Sequence, residues 1–460
     1  MRIDLIAPNE TRITGDRLPF LGLLLIASEL RKYDYRVKYI DALALKLEES
    51  ELFKKILVNK PEIIGIYHTI TNEQYVLNLL RKIKNNRETK KIIIILGGPQ
   101  ASSTYTNFFK QNKELIDYMS FGEGETTFKI LVDSIKNGES LNKVEGIAYK
   151  NNNQIIINKR RSMISNINKI AFPAYDLLPE LKYYSARSRT KNFMTINTSR
   201  GCKEKCIYCH KSTFGYSIRF NSHQYVTELI RFLTKKYNIK ELMVVEDNFA
   251  DDYNRAIKIA NTIRDNFNIQ IKFMTGIRIN TLDKKLLIAL KKAGCYHFLF
   301  GLESGDKDMR ERMKKVIDIP HTKKVIKWAR ELEISTTAGI IIGLPGETKE
   351  SFRKTIDLIK DLNPNYATFF WFMPLQDTES FNLASNNGNF TKDYPIDSFI
   401  KPNWIPNGWS KGNLKRARSS ALREFYSTKK KIWLGLKVIQ NSTLREFIFR
   451  VKDSFTLFAR

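Results

Sequence analysis

Thr198-Ser199-Arg200-Gly201-Cys202-Lys203-Glu204-Lys205-Cys206-Ile207-Tyr208-Cys209-His210 is the stretch around which the chain is organised. It places Cys202, Cys206 and Cys209 in a C-x3-C-x2-C pattern, and the whole chain has only 4 cysteines. Thiolates at such short spacings can converge on one metal centre, because a loop can turn three sulfurs inward without strain. A structural zinc site asks for four protein ligands, which here would recruit His210. A 4Fe–4S cluster has four irons, and three cysteines leave one of them open to another ligand. A disulfide framework does not suit a long, cysteine-poor chain without a secretory leader, so a reducing, cytoplasmic setting is expected.

The spacing resembles the radical SAM superfamily, in which the open iron is chelated by S-adenosylmethionine. The flanking Thr198–Gly201 segment and Tyr208, before the last cysteine, also fit that family. The resemblance implies Cys202, Cys206 and Cys209 as cluster ligands and Tyr208 beside the S-adenosylmethionine.

At 460 residues the chain should hold two or three domains, and 42% hydrophobic residues suffice for sizeable cores. No apolar run reaches the length of a membrane span. A formal net charge of +29 suits an anionic partner, a nucleic acid or a membrane surface. The lysines are scattered along helix faces and no RNA-binding motif appears, so nucleic acid is not expected as a partner.

The expected fold class is α/β throughout. Residues 1–140 alternate buried strands (Ile3–Ala7, Val37–Ile40, Ile63–Tyr67, Ile92–Leu96, Tyr118–Phe121) with helical periodicity over Leu18–Lys32, Glu48–Val58, Glu73–Lys84 and Glu125–Lys136. That alternation predicts a doubly wound parallel sheet that binds ligands beyond its strand carboxyl ends. His68-Thr69, Gly97-Gly98-Pro99 and Gly122-Glu123-Gly124-Glu125 follow the third, fourth and fifth strands, where paired glycines let a ligand approach the backbone. In this order, upstream of the cysteine loop, they resemble the cobalamin-binding domain of a large radical SAM subfamily, as does the Leu18–Leu23 entry to the first helix. The resemblance implies His68, Thr69, Gly97, Gly98, Gly122 and Glu123 at a cobalamin site. The D-x-H-x-x-G histidine that ligates cobalt in methionine-synthase-type domains is missing from Asn9–Gly15. His68 either faces the corrin ring or is a solvated loop histidine.

Residues 141–190 read as a β-hairpin (Val144–Tyr149, Ile155–Asn158) and a linker, with Lys159-Arg160-Arg161 as a solvated basic face. Residues 191–385 repeat strand and helix six times, which favours a partial (β/α)6 TIM barrel with its chemistry at the strand carboxyl ends. The cysteine loop follows the first of these strands. Gly301-Leu302-Glu303-Ser304-Gly305 and Gly339-Ile340-Ile341-Ile342-Gly343-Leu344-Pro345-Gly346-Glu347 resemble the family's G-x-E-S-G and G-x-I-x-G-x-x-G-E segments. They imply Glu303 and Ser304 near the nucleoside and Gly339, Ile341 and Gly343 against the adenine. Glu246 and Asp247 would stand near the methionyl amino group, or Asp247 or Asp251 would cap a helix. Arg278 would pair with the methionyl carboxylate or lie on the surface, and Cys295 would pack in the interior. Met373–Thr378 departs from the family's P-x-P-G-T, so Gln376 and Asp377 stand out on the substrate-facing edge.

Residues 386–460 form a C-terminal extension rich in aromatics and basic residues, with helices expected over Leu414–Lys431 and Ser442–Phe458. It would pack on the barrel or touch an anionic membrane peripherally. The resemblance implies a 4Fe–4S cluster, S-adenosylmethionine and cobalamin, with an external one-electron reductant such as flavodoxin or ferredoxin. It implies reductive cleavage to a 5′-deoxyadenosyl radical and methyl transfer to an unactivated carbon of a small, lipid-like, terpenoid or other secondary-metabolite substrate. Cyclisation or oxidation of tetrapyrrole type is the alternative within the family. A nucleic-acid-binding module with a structural cluster is the alternative outside it.

Overall fold

In a computed structural model of the protein, the described residues are 1–10, 16–152, 154–275, 277–391, 394, 401–427 and 430. They divide into two compact units, one centred on Arg17–Tyr184 and including His210–Arg219, the other on Ser185–Cys209 and the chain from Phe220 onward.

The first unit is a seven-stranded sheet in the order β2-β1-β3-β4-β5-β6-β7. Its strands are β1 (Arg2–Ala7), β2 (Arg36–Asp41), β3 (Ile63–Tyr67), β4 (Ile93–Gly97), β5 (Tyr118–Ser120), β6 (Ile147–Asn151) and β7 (Gln154–Ile157). The first five are parallel. Runs such as Ile63-Ile64-Gly65-Ile66 are buried on both faces, which is why they lack alternation. The 2-1-3-4-5 order puts the topological switch between β1 and β3, where such sheets bind ligands. Helix Glu73–Asn85 buries Val76, Leu79, Leu80 and Ile83, one stripe at helical spacing.

Three features differ from the sequence expectation. The expected hairpin forms, but it is not set apart from the sheet: β6 also pairs antiparallel with β5 and extends it. Helix Pro99–Asn112 went unforeseen because its Ser, Thr and Asn read as turn formers; burial of Ala101, Phe108 and Phe109 overrides that preference. Of the expected solvated face Lys159-Arg160-Arg161, only Lys159 is exposed. Arg160 donates to the Ser212 carbonyl and lies over the Phe121 ring, and Arg161 donates to Thr127 Oγ1 at 3.2 Å.

The second unit holds six parallel strands in the order β13-β12-β11-β10-β9-β8. They are β8 (Phe193–Ile196), β9 (Glu241–Val244), β10 (Gln270–Phe273), β11 (Cys295–Glu303), β12 (Ser335–Ile342) and β13 (Tyr366–Trp371). Side-chain caps start the intervening helices: Ser222 before His223–Tyr237, Asp283 before Lys284–Lys292 and Thr348 before Lys349–Leu362. In β11 Tyr296, Phe298, Phe300 and Leu302 are buried, whereas His297, Leu299, Gly301 and Glu303 on the opposite face are half-exposed. Beyond the sixth strand come helix Glu379–Asn387, an antiparallel pair (Gly388–Phe390 with Trp404–Pro406) and helix Lys411–Phe425. The expected helix Ser442–Phe458 lies outside the described residues. Among the described residues no helix is long and apolar enough to cross a membrane. Lys430, in the basic C-terminal extension, lies 3.5 Å over the Phe425 ring, and burial drops its pKa to about 7.

Candidate active site

The cysteine loop leaves β8 and is carried by the loop after β9. Glu246 Oε2 accepts the Thr198 N–H at 2.5 Å, and Asp247 Oδ2 accepts the Gly201 N–H at 3.0 Å. From the other side, Arg255 Nη2 donates to the Thr198 carbonyl at 2.8 Å and Nε to the Asn221 carbonyl at 2.6 Å. Glu246 is buried and burial raises its carboxyl pKa; the Arg255 guanidinium works against that rise. Both acidic residues therefore brace the approach to the first cysteine. Neither Asp247 nor Asp251 caps the next helix, Tyr253–Asn266; Asp252 does.

Cys202 is buried, Cys206 half-buried and Cys209 exposed, all as free thiols on one loop. The Cys209 N–H donates to the Cys206 carbonyl at 3.1 Å, a tight turn between the last two cysteines. Ile207 is held on both sides: its N–H donates to the Met313 carbonyl at 3.2 Å, and its carbonyl accepts the Ser380 N–H at 3.1 Å. Tyr208 packs against an apolar cluster of Ile207, Met309, Met313, Leu344, Phe372, Ala384 and Trp404. Burial first, then the charge of Glu303, pushes its hydroxyl pKa far up, so the phenol stays neutral. Among the described residues no three His, Cys, Asp or Glu side chains converge on a single metal ion. A cubane does not require that, because its irons occupy separate corners. Three thiols on one loop suit such a cluster.

At the end of β11, Glu303 adopts a left-handed backbone, φ +65°. Its carboxylate folds back over Gly301, where an added Cβ would stand 2.0 Å from Glu303 Oε1, and meets Lys315 Nζ at 3.3 Å. Ser304 is buried; its Oγ accepts the Asp306 N–H at 3.2 Å and lies 3.2 Å from Thr355 Oγ1, so the hydroxyl shapes the turn. Gly339 is the register partner of Gly301, so neither strand adds a side chain at that step, and the Glu303 carboxylate lies over Gly301. Ile341 packs on the Tyr208 cluster. The Gly343 N–H donates to Glu347 Oε2 at 2.6 Å, and the Glu347 carbonyl accepts from Trp409 Nε1 at 2.7 Å. Burial raises the Glu347 carboxyl pKa to about 8. Sequence reasoning quoted Glu347 only as part of a motif, counted Trp404 only among the aromatics of the C-terminal extension, and missed Arg255. An acid four residues after the loop glycine was the available signal for the first, whereas nothing local marks the other two.

In the first unit the named residues occupy the carboxyl ends of β3, β4 and β5. His68 is neither solvated nor turned outward. Its ring is fully buried, 4.5 Å from the Phe108 ring centroid, with Nε2 3.5 Å from Glu73 Oε2. Thr69 Oγ1 lies 2.9 Å from Thr71 Oγ1, and both hydroxyls approach Glu10 Oε2, at 3.4 and 2.6 Å. This network joins the loops after β1 and β3 at the switch point, where the cobalt-ligating histidine is missing. Residues 11–15 of that stretch lie outside the described residues. Gly98 has φ +112°, and an added Cβ would sit 2.8 Å from the His68 carbonyl, so only glycine lets these loops touch. Around Gly97 an added Cβ meets nothing closer than 3.8 Å, and around Gly122 nothing within 4 Å. These glycines leave a bare backbone cradle at the strand ends, which fits a large flat cofactor. Glu123 points elsewhere: its carboxylate accepts from the Ile164 N–H and Arg219 Nη1, both at 2.7 Å.

Comparison with known proteins agrees with this geometry. Residues 196–359 match the radical SAM superfamily and residues 14–132 the B12 binding domain. An uncharacterized methyltransferase of Pyrococcus horikoshii is 33% identical over 405 residues, covering 86% of each chain. The chain belongs to the cobalamin-binding radical SAM family. It is therefore a radical SAM enzyme, with a 4Fe–4S cluster, S-adenosylmethionine and cobalamin as its cofactors. The anaerobic magnesium-protoporphyrin IX monomethyl ester cyclase of Rubrivivax gelatinosus is 24% identical, covering 93% of this chain and 78% of the cyclase. Among solved structures, the radical S-adenosylmethionine methyltransferase TsrM of Kitasatospora setae shares the fold, with a TM-score of 0.66 at 16% identity, covering 80% of this chain and 72% of TsrM.

Proposed function

We propose that the enzyme transfers a methyl group from S-adenosylmethionine to an unactivated carbon of a small, apolar, lipid- or terpenoid-like substrate. The observation that carries the methyl-transfer reading is the methyltransferase relative at 33% identity, matched across both domains. When bound, the cluster and S-adenosylmethionine supply a carbon radical, and cobalamin supplies a transferable methyl group; the hard chemistry is the cofactors' own. The protein's part is to hold, orient and exclude water. Cys202, Cys206 and Cys209 hold the cluster and Tyr208 shields it. Gly339, Ile341 and Gly343 give the adenine a flat apolar bed, and Glu303 accepts hydrogen bonds from the ribose diol. Glu246 and Asp247 fix the backbone that leads into the cluster. Gly97, Gly98 and Gly122, with Thr69 and His68 behind them, form the cobalamin cradle. A low-potential protein such as flavodoxin or ferredoxin delivers the electron.

Leu299, Gly301 and Ile341 are the apolar half-exposed positions of β11 and β12, beside the half-exposed His297 and Glu303. Tetrapyrrole-type cyclisation is the second reading, motivated by the cyclase relative that covers 93% of the chain. The test is anaerobic reconstitution with iron, sulfide and hydroxocobalamin, followed by iron and cobalt analysis and turnover with methyl-labelled S-adenosylmethionine. Near-stoichiometric cobalt and label in a product are expected. Cobalt-free protein sinks the methyl-transfer reading, and unlabelled product favours cyclisation.

A further inference from the structure

Arg278 is not a solvent-exposed surface arginine: its side chain is only 21% exposed. It lies beyond the end of β10, and its guanidinium bridges two carboxylates from two other loops. Nη2 is 2.5 Å from Glu204 Oε1, and Nη1 is 2.9 Å from Asp251 Oδ1. Lys203 Nζ reaches the second Asp251 oxygen at 3.4 Å. Glu204 is the middle residue of the three that separate Cys202 from Cys206. The side chains of Arg278, Glu204 and Asp251 are only 21%, 18% and 4% exposed, so water screens them little. A planar fork that engages two carboxylates at once is a stiff link, which a lysine would not reproduce. Among the described residues, no backbone N–H from Cys202 to Cys206 donates to a backbone carbonyl. The segment between the first two cysteines therefore lacks the backbone ladder that would otherwise hold its shape.

We propose that Arg278, anchored on Asp251, is a positioning residue that fixes Glu204 and so the separation of Cys202 and Cys206. It governs how firmly the cluster is held. The inference rests on the cluster assignment above. It extends to the loop the rule that partners behind a ligand tune the metal as the ligands do.

The test is a double-mutant cycle on the full chain, Arg278→Gln, Glu204→Gln and both together, with Cys206→Ala alongside. After anaerobic reconstitution, iron release to a ferrous chelator is timed, S-adenosylmethionine binding is measured at equilibrium, and melting temperature serves as the folding control. Each single variant is expected to release iron roughly tenfold faster, by analogy with other partners behind metal ligands. The double variant should be no worse than either single, because both break one link. Melting temperatures should match the parent, and Arg278→Lys should restore only part of the retention. Wild-type release rates in Arg278→Gln, or additive effects in the double variant, overturn the proposal. So does weaker S-adenosylmethionine binding with unchanged iron release, which would make Arg278 a ligand for the methionyl carboxylate. Failure of the underlying assignment looks different: Cys206→Ala would then retain iron as the parent does.

Discussion

Replacing Glu347 by glutamine removes one titration from beneath the loop that follows β12. Glu347 is 1% exposed and accepts the Gly343 N–H at 2.6 Å. Burial moves its pKa from the ordinary 4.5 to about 8. Between those values the folded chain keeps a proton that the unfolded chain has lost. Stability contributed by the neutral carboxyl is thus complete below pH 4.5 and is lost as pH rises through about 8. Each pH unit in that interval costs about 1.4 kcal/mol, so moving from pH 5.5 to pH 7.5 removes about 2.5 kcal/mol. That is a large share of a typical net stability of about 5–15 kcal/mol. Glutamine keeps an acceptor for Gly343 and cannot ionise. Denaturant unfolding of the cofactor-free parent and Glu347→Gln should give curves whose separation grows by about 2.5 kcal/mol in favour of the variant across that range. Parallel pH dependence in parent and variant would refute the reasoning, since the carboxyl would then already be ionised in the folded state.

Two further outcomes are expected. Trp404→Ala should cost about 3–5 kcal/mol, because the indole is 1% exposed against Phe372 and donates Nε1–H to the Ala384 carbonyl. Its melting temperature should fall and its reconstituted cluster should bleach faster in air; an unchanged melting curve counts against the packing described. Gly98→Ala forces a side chain into φ +112° and against the His68 carbonyl, at a cost on the order of 2 kcal/mol. Cobalamin retention through gel filtration should drop while iron loading persists, and full cobalt retention would show that these loops are not part of the cradle.

The division into an N-terminal doubly wound sheet and a six-stranded parallel sheet was legible because both rest on local periodicity. Buried parallel strands read as short apolar runs, and amphipathic helices repeat every three to four residues. Chemistry that depends on adjacent residues was legible too, as in the three thiols at 202, 206 and 209 and the glycine pairs at strand ends. Long-range pairing was not. Ile147–Ile157 reads as a hairpin, but nothing local says that β6 bonds to β5 and extends the sheet. Glu123 reads as a ligand residue until Arg219, 96 positions away, is found on its carboxylate.

The sequence by itself determined the cofactor class and the order of the two domains, since cysteine spacing and βα alternation are written within a few residues of one another. Only the tertiary structure decided what the charged and polar side chains do. Glu246 braces a peptide, His68 is buried against Phe108, Arg278 grips the cysteine loop, and Trp404 seals the apolar side of Tyr208. The physical reason is that a side chain's partner depends on which loops the sheets bring to one edge. That juxtaposition is set by strand order and register, which no local pattern encodes.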